Sequence, residues 1–172
     1  MTDPVPKLRS VVLDTTDARS LAEFYKELLG YAYLPGGERP PEGEEDPNGS
    51  DWLVLVEPEG RVRLAFQQVG ELRPATWPEG PVPQQVHLDL SVATAEELEA
   101  QHGRALSLGA TLLLDRSDDP EERLYVYADP QGHPFCIFVV PQNLCRPPNL
   151  SVRDTSPADA WPRPGRGRET GP

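Results

Sequence analysis

The sequence predicts an α+β fold in which two tandem βαβββ modules form a curved sheet around a concave pocket. Three observations predict it. The order strand, helix and three strands occurs twice, each helix follows a capping residue, and the two copies start roughly 75 residues apart. In a βαβββ unit the helix covers one face of the sheet and leaves the other face open, so two units can place their open faces around a shared hollow.

The first module is predicted over residues 7–70. Its opening strand-like run, KLRSVVLDTTD, ends at Asp17, a residue type that favours a helix N-cap. Gly30 follows the helix, where a C-cap requires a residue that tolerates a positive φ. Three strand segments come next: YAYL, DWLVLVE and VRLAFQQV. The apolar residues that recur at helical spacing between the two caps are Leu21, Phe24, Tyr25, Leu28 and Leu29.

The second module is predicted over residues 85–141 and repeats this order. QVHLDLSV indicates a strand, and Thr94 with Glu97 has the spacing of a helix capping box. The helix is expected to end at Gly109. ATLLL, RLYVYAD and HPFCIFVV supply three more strands, the last two joined by the turn sequence DPQG.

Composition limits the partners and the compartment. With 28 acidic and 16 basic residues, the formal net charge of −12 argues against nucleic acid or an anionic membrane as a partner. Two cysteines without metal spacing favour a reducing, cytoplasmic location. Residues 1–6 are interpreted as an N-terminal extension, and residues 71–84 as a linker in which Trp77 packs. The Pro/Arg-rich residues 142–172 are expected to be a disordered tail.

The stretch VHLDLSV suggests a functional face. On a strand, residues two apart share a face, so His87, Asp89 and Ser91 would point away from the neighbouring leucines and valines. One interpretation is a structural hydrogen-bonded pair of His87 and Asp89. A second is a catalytic acid–base pair that faces a bound molecule, and a third is a nucleophilic arrangement of His87 with Cys136.

The last hairpin would add aromatic walls to this face. If DPQG closes a tight turn, Tyr125 lies opposite Cys136 and Tyr127 opposite Pro134. The predicted ligand pocket then combines side chains from both modules, with Trp52 as part of a lid or as an anchor of the acidic loop before it. Its residues are Ser10, Asp14, Trp52, His87, Tyr125, Tyr127, Cys136 and Phe138.

Four motifs carry a resemblance to a known family. SLAEFYKELLGY, VHLDLSV, ALSLGATLL and YADPQGHPFCIFV together resemble the vicinal oxygen chelate superfamily, which includes glyoxalases, bleomycin resistance proteins and dioxygenases. The chain is most similar to the glyoxalase-like subgroup. The resemblance implies, for metal-dependent members, a divalent ion held by four ligands from the first and last strands of both modules.

Most of these ligand positions are occupied by other residue types. By resemblance, His87 stands at one of them, and Ser10 stands at its counterpart in the first module. Cys136 stands where a Glu is usual, and Leu64 or Ala65 stands at the remaining position. We therefore expect no metal and no other cofactor. A displaced metal cluster would add Asp14 and Asp89 to His87 and Cys136.

Three functions follow from this pattern. The first is metal-independent binding of a hydrophobic or aromatic small molecule in the concave pocket, as the resemblance to drug-sequestering members implies. The second is a lyase, isomerase or dioxygenase that uses a non-standard metal or the His87/Asp89 pair. The third is a structural or interaction module whose pocket is filled by its own side chains. The sequence leaves a monomer and a homodimer open, and the resemblance favours the dimer.

Overall fold

The computed structural model describes residues 6–58, 60 and 63–140. The predicted tail and almost all of the N-terminal extension lie outside these residues. The first module contains β1 (Val11–Thr15), α1 (Ala18–Leu29), β2 (Ala32–Tyr33), a short 3₁₀ turn (Asn48–Ser50), β3 (Trp52–Val56) and β4 (Arg63–Gln68). The second module contains β5 (Leu88–Val92), α2 (Ala95–Ser107), β6 (Thr111–Arg116), β7 (Leu124–Ala128) and β8 (Pro134–Val139).

Each module forms one four-stranded mixed sheet. The strand orders, β1-β4-β3-β2 and β5-β8-β7-β6, are the same order repeated. In both sheets the first and last strands of the module are parallel neighbours, and the other pairs are antiparallel. The predicted α+β fold of two tandem βαβββ modules is therefore confirmed.

Helix α1 begins and ends where the sequence predicts. The Asp17 carboxylate accepts a hydrogen bond from the Ser20 backbone N–H at 2.9 Å, and Gly30 takes the left-handed conformation with φ 67°. The face toward the sheet is almost wholly apolar, and its burial provides most of the drive for packing. The buried residues of α1 are Ala18, Arg19, Leu21, Ala22, Phe24, Tyr25 and Leu28.

Helix α2 has the predicted cap but a more polar face toward its sheet. The Thr94 hydroxyl accepts from the Glu97 backbone N–H at 3.2 Å, and the helix continues through Gly103. Only Leu98 and Ala105 are buried. Its contacts with β7 include two polar ones, with His102 Nδ1 2.8 Å from the Tyr127 hydroxyl oxygen and the Tyr125 hydroxyl donating to Glu99 at 2.9 Å.

The helix-covered faces of both sheets share one hydrophobic core. The fully buried Tyr25 ring stacks on Phe66 of β4 with 5.7 Å between ring centroids, and lies 6.4 Å from Phe135 of β8. Its hydroxyl donates to the buried Asp129 carboxylate at 3.0 Å. Because alternate residues of a strand point to opposite faces, the uncovered faces lie on the far side of each sheet from this core.

The predicted pairing of β7 with β8 is wrong by one residue. Tyr125 lies opposite Ile137, and Cys136 lies opposite Val126. The hairpin closes at Asp129 and His133, whose backbone groups hydrogen-bond at 2.9 Å, so the loop contains three residues instead of two. Gly132, at φ 91°, supplies the left-handed position that such a loop requires. A shift of one residue exchanges the two faces of the strand.

The acidic loop between β2 and β3 is held by a buried arginine. Arg19, 7% exposed, donates two hydrogen bonds to the Asp46 carboxylate, at 2.7 and 3.0 Å. It also donates to the Gly37 carbonyl at 2.9 Å and lies over the Tyr33 ring.

No helix within the described part of the chain is long and apolar enough to span a membrane.

Candidate functional site

The uncovered face of the second sheet carries the residues that VHLDLSV predicts. Leu88, Leu90 and Val92 pack against the shared core. His87 and Asp89 therefore point to the opposite face, as predicted. In the parallel pairing of β5 with β8, Asp89 lies beside Cys136 and Ser91 lies beside Phe138, so these two predicted pocket residues share the face of His87.

His87, Asp89 and Cys136 form one compact group, here called the His87 cluster. Their potential ligand atoms all lie within 4.8 Å of one another, and His87 Nε2 is 3.2 Å from a carboxylate oxygen of Asp89. Asp89 is exposed, His87 is half-buried and Cys136 is buried. Asp14 does not belong to this group, so three of the four residues of the predicted displaced cluster come together.

The Cys136 thiol is a neutral group near physiological pH. Burial raises its pKa to about 12, and the Asp89 carboxylate adds to the rise through its negative charge and a hydrogen bond with the thiol. The thiolate is the nucleophilic form of cysteine, and its fraction at this pKa is negligible at pH 7. The cluster therefore offers a hydrogen-bonding or metal-ligating thiol and no ready nucleophile.

The linker covers part of this face. Trp77 packs against a small cluster formed by Leu124, Val126 and Cys136, as its predicted packing role requires. Tyr125 and Tyr127 are absent from this face because of the one-residue register difference. They are buried against α2, so the prediction that they face the same hollow as His87 is wrong.

The uncovered face of the first sheet forms a cleft of about 390 Å³, here called the first-module cleft. Two predicted pocket residues, Ser10 and Trp52, line it, and the Trp52 side chain is 41% exposed. Asp14 lies on the same face, beside Gln67, and lines a neighbouring hollow between β1 and the linker. The residues lining the first-module cleft are Arg9, Ser10, Leu34, Trp52, Val54 and Arg63.

The two arginines of this cleft are not among the predicted pocket residues. The prediction rests on carboxylates, histidines and aromatic side chains, which are the usual ligand and pocket residues. The signal was nevertheless present, because Arg63 lies two residues before Ala65 and strand alternation places both on one face.

A comparison with protein families identifies the chain. Residues 10–138 match the family model of the glyoxalase-like domain, which covers both modules and most of the chain. The chain belongs to the glyoxalase-like domain family. A comparison with curated proteins finds no match.

Solved structures of other proteins share the fold of this glyoxalase-like domain. The fosfomycin resistance protein FosX from Mesorhizobium loti is 13% identical, with a TM-score of 0.56 over 82% of this chain and 98% of that one. FosX from Listeria monocytogenes, in a complex with Mn(II) and dihydroxypropylphosphonic acid, is 14% identical, with a TM-score of 0.57 over 79% and 93%. A glyoxalase/bleomycin resistance/dioxygenase family enzyme from Burkholderia phytofirmans is 18% identical, with a TM-score of 0.54 over 76% and 96%.

The described residues of the first module do not supply good metal ligands at the positions that the resemblance implies. The pairing of β1 with β4 puts Ala65 on the uncovered face, beside Val12, and Leu64 in the core, which decides between the two predicted positions. The first module therefore offers Ser10 and Ala65 where the second offers His87 and Cys136. An alanine has no donor atom, and serine hydroxyls are weak ligands of divalent ions. Within residues 6–58, 60 and 63–140, the His87 cluster is the group of donors that lie close enough together to hold a metal ion.

Proposed function

We propose that this glyoxalase-like domain protein binds a hydrophobic or aromatic small molecule on the uncovered face of its first module, without a metal ion of the family type. The observation that carries the proposal is the first-module cleft. Its volume of about 390 Å³ lies within the usual range for small-molecule sites. It exposes an indole ring, Trp52, next to the aliphatic side chains of Leu34 and Val54.

The physical argument is that this cleft leaves apolar surface in water. An aromatic ligand that stacks on Trp52 would remove area from solvent on both partners, at about 25 cal/mol for each Å² of apolar surface. Ser10 and Ala65 stand at two positions where the resemblance implies metal ligands. The binding energy at this face therefore comes from apolar contacts with the ligand. Coordination to a metal is not needed for it.

A neutral fluorescent probe tests the proposal. N-phenylnaphthylamine should bind the protein after treatment with a chelator, and Trp52→Ala should weaken its affinity about tenfold through the lost aromatic contact. Leu106→Ala is the matched control, because it removes an apolar side chain of similar exposure, 42%, from α2. Unchanged affinity in Trp52→Ala, or loss of probe binding on chelation, would contradict the proposal.

The His87 cluster favours a second candidate, an enzyme of the lyase, isomerase or dioxygenase type. His87 and Asp89 would move a proton, or the three donors would hold a non-standard metal such as zinc, which accepts imidazole, carboxylate and thiolate ligands. A divalent ion bound there would polarise an oxygen atom of the bound molecule.

Cobalt substitution tests this second candidate independently of activity. Binding of Co(II) to the cluster would produce a thiolate-to-cobalt charge-transfer band in the near ultraviolet, and Cys136→Ser would abolish it. Asp14→Asn is the matched control, because Asp14 is an exposed aspartate on the other sheet. Absence of the band in the wild-type protein would remove the metal form of this candidate.

The remaining predictions concern assembly and location. We propose a homodimer, because the first module also exposes an apolar side chain outside the first-module cleft, Val12 at 41%. Light scattering coupled to size exclusion measures the mass directly, and a monomer at micromolar concentration would contradict the dimer. The structural-module alternative predicts that neither probe nor Co(II) binds. The cytoplasmic location stays a prediction from the sequence.

A further inference from the structure

We propose that the ligand of the first-module cleft carries an anionic group, which Arg9 and Arg63 bind next to the apolar surface of Trp52. This inference rests on the proposed function, since it names the chemical class of the ligand of that site. The expected ligand is an amphiphilic anion: a carboxylate, sulfonate or phosphonate attached to an aromatic or aliphatic body.

The first argument is the local charge. The chain as a whole has a net charge of −12, yet the six residues that line this cleft include two arginines and no acid. Other basic side chains, such as Arg19, Arg39 and Arg116, form ion pairs with nearby carboxylates. Within the part of the chain that the structure describes, neither Arg9 nor Arg63 forms an ion pair or a side-chain hydrogen bond.

The second argument is the position of the two arginines in the sheet. Arg63 is the first residue of β4, is half-buried and pairs with Val56 of β3. The parallel register that puts Val11 beside Leu64 brings Ser10 next to Arg63 at the start of β1. Two guanidinium groups at one cleft repel each other, and a bound anion would turn this repulsion into attraction.

The third argument is the chemistry of the donors. A guanidinium group presents paired N–H donors in a planar fork that matches the oxygen atoms of a carboxylate, sulfonate or phosphonate. The Ser10 hydroxyl supplies another donor at the same end of the cleft. Trp52 and Val54 provide the apolar wall beside these donors. A cationic ligand would meet only repulsion and no carboxylate there.

A pair of matched probes tests the inference. Anilinonaphthalene sulfonate and N-phenylnaphthylamine share one aromatic skeleton, and only the first carries an anionic group. We expect the wild-type protein to bind the sulfonate about tenfold more tightly than the neutral probe at low salt, and this preference should fall as ionic strength rises. Equal affinity for the two probes would overturn the inference and leave the proposed function standing.

Substitutions locate the effect. Arg63→Gln should weaken sulfonate binding about tenfold and change neutral-probe binding by less than about twofold, because a charge-assisted hydrogen bond is lost. Arg63→Lys should retain part of the preference, since it keeps the charge and loses the planar fork. Arg123→Gln is the matched control, an exposed arginine of the second module.

The outcomes separate this inference from the function on which it rests. If Arg63→Gln and Arg123→Gln lose the same affinity for the sulfonate, only the overall charge of the protein matters. This result would overturn the role of Arg63. If Trp52→Ala leaves the binding of both probes unchanged, the first-module cleft is not the binding site and the proposed function fails with the inference.

Discussion

The two helices of the molecule occupy the same place in two copies of one fold, yet they pack by different chemistry. Aligning the N-caps Asp17 and Thr94 places Tyr25 of α1 with His102 of α2. Tyr25 is buried among aromatic rings, whereas His102 is half-buried, stacks on Tyr125 at 4.2 Å and contacts the Tyr127 hydroxyl. The first module therefore carries most of the apolar core, and the second module tolerates polar groups beneath its helix.

The uncovered faces of the two sheets also differ, and here the first module presents the more open surface. The second sheet presents the His87 cluster, partly covered by Trp77. The first sheet presents an open cleft with an exposed indole, Trp52, and a half-buried arginine, Arg63. A duplicated fold can thus keep one topology while its two faces acquire separate chemistry, because strand alternation separates the side chains that pack from those that face a ligand.

The sharpest test of the packing difference compares equivalent helix positions. Phe24 of α1 packs edge-on against Phe135 at 6.0 Å, and the equivalent residue of α2 is Gln101. Phe24→Ala should lower the free energy of unfolding by about 3–5 kcal/mol because it leaves a cavity in the shared core. Gln101→Ala should change it by less than about 0.5 kcal/mol. Urea denaturation measures both, and equal losses would remove the contrast between the helices.

A second pair of variants removes one polar contact from each helix. Tyr25→Phe deletes the hydroxyl that donates to the buried Asp129 carboxylate and should cost about 1.5–3 kcal/mol, because hydrogen bonds to charged groups are the stronger ones. Tyr127→Phe deletes the hydroxyl that contacts His102 of α2 and should cost about 1 kcal/mol, since no carboxylate takes part in this contact. Thermal unfolding measured by circular dichroism compares the two. A larger loss in Tyr127→Phe would reverse the ranking of the modules.

The smallest expected effect concerns the acidic loop, which belongs to the first module alone. The Arg19 guanidinium lowers the pKa of Asp46 from its usual value of 3.8 through their hydrogen bonds. A lowered pKa in the folded state adds stability above the unfolded pKa, and this stability is lost as the pH falls through the lowered value. Asp46→Asn should therefore lower the free energy of unfolding by about 1 kcal/mol at pH 7, and by less than that below pH 3.8.

Asp118→Asn is the control for this pH dependence, because Asp118 is an exposed aspartate of the connection between β6 and β7. It should leave the free energy of unfolding unchanged at both pH values. A cost in Asp46→Asn that does not depend on pH would mean that the carboxylate charge has no role in holding the loop.

Local signals in the sequence were enough for the repeated fold and for one face of the site. Caps such as Asp17 and Thr94 act on backbone groups three residues away, so their spacing can be recognised without the structure. The alternation in VHLDLSV places His87 and Asp89 on the face that the structure shows.

Contacts between distant segments could not be predicted from local sequence patterns. The orientation of Tyr125 and Tyr127 depends on one extra loop residue, and nothing in DPQG alone fixes that count. The covering of Cys136 by Trp77, and the meeting of Arg9 with Arg63, depend on tertiary packing between segments more than 50 residues apart. These are the contacts that shape the candidate sites.

The central claim is that ligand binding takes place on the uncovered face of the first module. Amide chemical-shift mapping with anilinonaphthalene sulfonate tests it most directly, because it reports the contact surface residue by residue. We expect the largest shifts at the start of β1, along β3 and at the start of β4, around Ser10, Trp52 and Arg63. Shifts confined to the surroundings of His87 and Cys136 would contradict the claim.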